Sequence, residues 1–180
     1  TTHIVYGEAM AILAGDGLLT LAFETAAKAF NMVDDTLEEA HIIYKRIIRA
    51  LQILSSKAGI HGMIGGQVID IESEGHPISK DRLDIMYLLK TGALIEASMM
   101  IGGVIAGAGD DEIRTIESIA SDIGLAFQIR DDILDVTGDD KILGKPVHSD
   151  EKNDKSTYIA IMDIEQAIKE VSSVTDRARK

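Results

Sequence analysis

The chain has 180 residues, 46% hydrophobic and 27% charged, which is enough for one sizeable core and shows no bias toward disorder. Thirty Asp+Glu against 18 Lys+Arg give a formal charge of -12, so nucleic acid and anionic membrane surfaces are repelled rather than attracted. There is no cysteine, which excludes disulfides and thiolate metal sites and fits a reducing, cytoplasmic setting.

Apolar residues recur at helical spacing nearly everywhere, and no stretch alternates with period two, so the expected class is all-α in a single domain. Thr1-Thr2 caps a first helix from about Ile4 to Phe30, without the basic start of a signal peptide, and Asp34-Asp35-Thr36 opens a second that ends at Lys57-Ala58-Gly59. A third carries Gly62 to Glu74, Gly75-His76-Pro77 breaks the chain, and Ser79 caps a long fourth closed by Gly107-Ala108-Gly109. Within that fourth helix, Ile85 to Ala108 is the most apolar stretch, but Lys90, Thr91 and Glu96 argue for a buried soluble helix over a membrane span. Asp110-Asp111 opens a fifth helix reaching about Val136. A polar loop from Thr137 to Lys155 follows, longer than the ~12 to 15 residues usual in compact bundles, and Ser156 or Thr157 caps a sixth helix.

The chemistry concentrates in the fifth helix. At 3.6 residues per turn, Gln128, Asp131, Asp132 and Asp135 fall within an arc of about 100°, flanked by Leu125, Phe127, Ile129, Ile133, Leu134 and Val136. A helix apolar almost all round is expected to be largely buried. Carboxylates at i,i+4 repel, and burial adds a desolvation cost unless cations compensate. Mg²⁺, with Mn²⁺ as a substitute, suits this pattern because it takes one or two carboxylates and fills its other positions with water and phosphate oxygens. The other Asp-Asp pairs are structural by position: Asp34-Asp35 and Asp110-Asp111 complement helix dipoles, and Asp139-Asp140 lies in the loop.

Cationic groups stand nearby in sequence. Lys90-Thr91 places an ammonium and a hydroxyl in an apolar helix beside Gly92, where an anion would satisfy both; the alternative is a lysine snorkelling to solvent. Lys145 and Lys155 lie in the long loop, and each taken singly reads as a solvated surface lysine. Gln67, after Gly65-Gly66 and before Asp70, is a further polar group on an apolar helix, where the glycines admit either a ligand or a close neighbouring helix. The five His show no metal-ligand spacing.

Several segments in order, Gly7 to Asp16, Gly65-Gly-Gln67, Lys90-Thr-Gly-Ala-Leu-Ile95, Phe127 to Val136, and Gly144-Lys-Pro through Asp154-Lys-Ser-Thr157, resemble the motifs of trans-isoprenyl diphosphate synthases. The wording is most similar to bacterial short-chain farnesyl diphosphate synthases, with geranylgeranyl diphosphate synthases next. This resemblance implies an antiparallel helical bundle of the isoprenoid synthase type and a homodimer. It also implies condensation of an allylic diphosphate with isopentenyl diphosphate by Mg²⁺-assisted ionisation, condensation and elimination.

Position by position, it implies that Asp131, Asp132 and Asp135 bind the metal, that Gln128 sits beside them, and that Lys90, Thr91, Lys145 and Lys155 contact the diphosphate. Gln67 and Asp70 would line the pocket. The family's first Asp-rich motif and the basic residues that hold isopentenyl diphosphate would precede Thr1, and its last helices would follow Lys180. The expectation is a fragment that does not turn over alone. A terpene cyclase and a non-catalytic partner subunit of a synthase are the rival readings.

Overall fold

The computed structural model describes residues 2–138 and 156–180. Among these residues every regular element is helical. The α-helices are α1 (Thr2–Tyr6), α2 (Glu8–Lys28), α3 (Ala40–Ala58), α4 (Met63–Ser73), α5 (Lys80–Tyr87), α6 (Ala93–Ala106), α7 (Asp110–Thr137), α8 (Tyr158–Ile161) and α9 (Ile164–Ala178). Lys145, Lys155 and Asp139-Asp140 lie outside the described residues, as does Thr1 with its expected cap.

Three boundaries differ from the expectation. The first helix is divided at Gly7, whose φ of 84° lies in the left-handed region, and it ends in a 3-10 turn, Ala29–Met32. The second starts at Ala40 rather than at Asp34, because the Asp34 carboxylate folds back on Thr36, accepting from its N–H at 2.9 Å and its hydroxyl at 2.6 Å. Such a local turn competes with helix initiation. The sixth is two helices: Thr157 caps α8 through the Ala160 N–H, and Asp163 caps α9 through the Gln166 N–H.

The expected fourth helix holds a feature that periodicity does not reveal. Ser79 caps it through the Arg82 N–H at 3.3 Å, and Gly107 ends it with a φ of 95°. Between α5 and α6, however, Leu88–Gly92 forms a π turn. Two glycines seat this turn. A Cβ on Gly66 of α4 would lie 2.2 Å from the Lys90 backbone N, and one on Gly124 of α7 would lie 2.8 Å from Gly92 Cα. Both neighbouring helices therefore approach the turn at backbone contact.

Helix α7 is the spine. Its Ile129 and Ile133 pack with Leu83, Met86 and Tyr87 of α5, Tyr158 of α8 and Ala167 of α9. Farther toward its start, Ile113 packs with Met100 and Val104 of α6. The glycine-rich stretch Met99 to Ile105 thus mediates close packing within the chain, with Gly103 set against Ile113 and Ile116. Burial of α7 is less complete than expected: Ile123, Phe127 and Val136 are exposed.

A polar tie joins α3, α6 and α7. The Lys57 ammonium donates to buried Glu96 and, at 2.6 Å, to Glu117. Burial works to lower the Lys57 pKa, but its hydrogen bonds to Glu117 and Glu96 outweigh it and hold the group above the usual lysine value. Among the described residues, two helical stretches, Glu8–Met32 and Lys80–Ala106, are by length and composition long and apolar enough to cross a membrane. The second contains this buried Glu96 and packs as a core helix, whereas α2 buries none of its residues.

Thermal or denaturant melts test this packing. Gly124→Ala overpacks the crossing and destabilises by roughly 2–3 kcal/mol, while Gly102→Ala, where a Cβ meets nothing within 4 Å, stabilises by about 0.5–1 kcal/mol. Lys57→Met strands Glu96 without its cation and costs about 3 kcal/mol, most of which is recovered when Glu96→Leu is added.

Candidate diphosphate and metal site

The π turn sets the direction of the Lys90 side chain. Lys90 Nζ lies 2.6 Å from Asp70 Oδ2 on α4, and both side chains are partly buried. The ammonium therefore does not snorkel into bulk solvent; it is held by a carboxylate that the sequence offered as a separate pocket residue. Gln67 is exposed one turn before Asp70, on a face of α4 that also carries exposed Ile64, Val68 and Ile71. Thr91 is half-buried beside Lys90 in the same turn.

On the opposite side of the turn, α7 crosses it at Gly124. Helical geometry puts Gln128, Asp131 and Asp135 within about 40° of the direction of Gly124, on successive turns beyond the crossing. Gln128 and Asp131 are half-buried, and Asp135 is 3% exposed. Phe127, 58% exposed, and Ile123 border the Asp131 side of this stripe. Polar groups that could take a charged ligand are thus edged by hydrocarbon.

Asp132 behaves differently. It is 5% exposed, and its Oδ2 accepts from the Tyr87 hydroxyl at 2.7 Å and from the Tyr158 N–H at 2.8 Å. Among the described residues, no group of three metal-ligating side chains converges. Mg²⁺ does not require three: one or two carboxylates are its usual protein share, with water and phosphate oxygens completing the octahedron. Asp131 and Asp135, one turn apart on the stripe, fit that share.

Sequence reasoning missed Tyr87 and Tyr158, whose partners are distant in the chain, and a cavity of about 500 Å³ behind the π turn, lined by Leu88, Leu89, Lys57, His61, Glu96 and Glu117 among others. Three of those groups form the Lys57 tie, one ammonium against two carboxylates, which leaves the cavity wall with an excess of negative charge. The cavity is therefore a weaker place for a diphosphate than the Lys90 side of the turn. Its one signal in sequence is Glu96, an acid inside an apolar run.

The sequence model of the polyprenyl synthetase family matches residues 1–179. A farnesyl diphosphate synthase of Geobacillus stearothermophilus is 38% identical over 180 residues, covering 100% of this chain and 58% of the relative. One of Escherichia coli is 41% identical over 181 residues, again covering 100% of this chain and 58% of the relative. Among solved structures, a geranyltransferase of Helicobacter pylori in complex with magnesium and isoprenyl diphosphate superposes with a TM-score of 0.82 at 34% identity, over 99% of this chain and 55% of that one. The chain thus spans a little over half the length of these relatives. A match running from end to end, on a helical fold that carries the glycine crossing and the aspartate stripe, makes this chain a member of the polyprenyl synthetase family.

Proposed function

We propose that this chain carries the diphosphate-binding part of a prenyltransferase that condenses an allylic diphosphate with isopentenyl diphosphate, in the manner of farnesyl diphosphate synthases. The observation that carries the reading is the crossing at the π turn: Gly92, two residues after Lys90, meets Gly124 backbone to backbone, and Gln128, Asp131 and Asp135 follow Gly124 on the same face of α7. The names of the relatives and the ligands of the Helicobacter pylori structure support it.

In this reading Asp131 and Asp135 hold Mg²⁺, for which Mn²⁺ can substitute; when bound, the ion neutralises charge on the diphosphate. Lys90 donates to a diphosphate oxygen, exchanging its Asp70 partner for the ligand or sharing it, while Thr91 and Gln128 offer further hydrogen bonds. Lys145 and Lys155 add cationic charge to the same group. Asp132 contributes through its packing. The allylic carbon–oxygen bond breaks, diphosphate leaves with the electron pair, the isopentenyl double bond attacks the allylic carbon, and a proton is lost from the adduct. Exposed apolar residues beside the stripe, Phe127 and Ile123, and Ile64, Val68 and Ile71 near Gln67, supply hydrocarbon suited to a prenyl tail. Such a site works by charge stabilisation and exclusion of water and needs no side-chain nucleophile. The apolar surface of α2 supports a homodimer, and the cysteine-free composition suits the cytoplasm.

The full-length gene product, given geranyl diphosphate, labelled isopentenyl diphosphate and Mg²⁺, is expected to form a product five carbons longer. Chelation should abolish turnover and added Mg²⁺ restore it. Asp131→Asn and Lys90→Met should each lower kcat/KM by roughly 10²–10³-fold. Cyclised hydrocarbon formed without consumption of isopentenyl diphosphate would identify a terpene cyclase instead.

A further inference from the structure

Asp131 and Asp132 are chemically identical neighbours about 100° apart on one helix. Nothing in their own side chains decides which faces the core and which faces the stripe. Exchanging them would take a roll of about 100°, but a lesser roll in the same sense already turns Asp131 toward the core and disperses the set that includes Gln128 and Asp135. The choice is made from outside the helix. Tyr87 of α5 and the first residue of α8, Tyr158, both aim donors at Asp132 Oδ2, at 2.7 and 2.8 Å.

The donors are themselves fixed. The Tyr87 and Tyr158 rings stack with centroids 5.8 Å apart, and both residues are buried. The Tyr158 hydroxyl donates to Asp84, which also binds Lys80 at 2.9 Å. Burial and the Asp84 carboxylate push the Tyr158 phenol well above its usual pKa, so it stays a donor under all ordinary conditions. Ser156 adds a tie from the same segment to the His76 carbonyl at 3.3 Å.

We propose that Tyr87 is a positioning residue for the metal–diphosphate site: through its hydrogen bond to Asp132, and with the Tyr158 amide, it locks the roll that the Gly124 crossing and the packing of Ile129 and Ile133 allow α7, and so presents Asp131 and Asp135 together. This rests on the diphosphate reading given above. Asp132 is then an internal anchor whose place in the Asp-rich run reflects packing, and the aromatic pair discriminates between two adjacent carboxylates.

The test compares Tyr87→Phe with Tyr158→Phe in the full-length gene product. Each removes one buried hydroxyl, but only the first removes a donor to Asp132, since the Tyr158 amide survives in the second. Binding of inorganic pyrophosphate is measured by calorimetry across a series of Mg²⁺ concentrations, alongside thermal midpoints. Tyr87→Phe is expected to weaken Mg²⁺-dependent pyrophosphate binding about tenfold, while Tyr158→Phe changes it by less than about twofold even where their midpoints fall equally. Binding by Tyr87→Phe as tight as wild type, or equal weakening in both phenylalanine variants, overturns the assignment. If the wild-type protein itself binds no pyrophosphate with Mg²⁺, it is the diphosphate reading that fails, and the positioning role falls with it.

Discussion

The contact between Gly92 and Gly124 is the constraint on which the rest of the structure depends. With a Cβ on Gly124 only 2.8 Å from Gly92 Cα, the two helices meet backbone to backbone. On the same face of α7, on the turns beyond Gly124, stand Gln128, Asp131 and Asp135. The π turn falls at this point of closest approach. An inserted residue changes the angular position of everything after it, so the Lys90 ammonium reaches Asp70 on α4 while Glu96, in the next helix, reaches Lys57 on α3. Insertions of this kind recur at functional sites because they re-aim side chains without breaking the helix.

An acidic chain with carboxylates in its interior must neutralise or hydrogen-bond each one. The structure shows two ways of doing this, and the proposed function adds a third. Glu96 is paired with a lysine that it shares with Glu117. Asp132 is satisfied by neutral donors, a tyrosine hydroxyl and a backbone amide. Asp131 and Asp135 lie on a stripe bordered by exposed apolar surface, and a divalent cation with a phosphorylated ligand completes that environment in the proposed function. The first two arrangements stabilise the fold, and the third, in the proposed function, gives acids a role where a core helix would favour leucine.

Much of the fold was legible in the sequence because its signals are local. Ser79, Gly107 and the Asp110-Asp111 start mark helix ends by their own backbone chemistry, and the structure follows them. Asp34 misled because the hydrogen-bonding capacity that makes aspartate a helix starter also lets it close a turn on Thr36. The π turn was invisible because nothing in Leu88 to Gly92 marks an inserted residue, and the close approach of Gly66 and Gly124 to the turn is a contact with other helices.

At the site, the polar stripe was readable from spacing alone, whereas the division of labour between Asp131 and Asp132 was not, since it depends on Tyr87 and Tyr158, 45 and 26 residues from Asp132. The pairing of Lys90 with Asp70 was likewise a matter of tertiary contact. The roles proposed for Lys145 and Lys155 rest on resemblance alone, since composition treats them as two surface lysines among many.

The central claim is that Asp131, with Asp135, faces a cation and diphosphate while Asp132 faces the protein. Anomalous diffraction from crystals of the full-length protein grown with Mn²⁺ and a non-reactive allylic diphosphate analogue addresses it most directly. The account predicts a manganese peak in bonding contact with Asp131, a diphosphate oxygen beside Lys90, and an unbroken hydrogen bond from Tyr87 to Asp132. Manganese bound by Asp132 with that bond lost, or no metal along α7 at all, would contradict it.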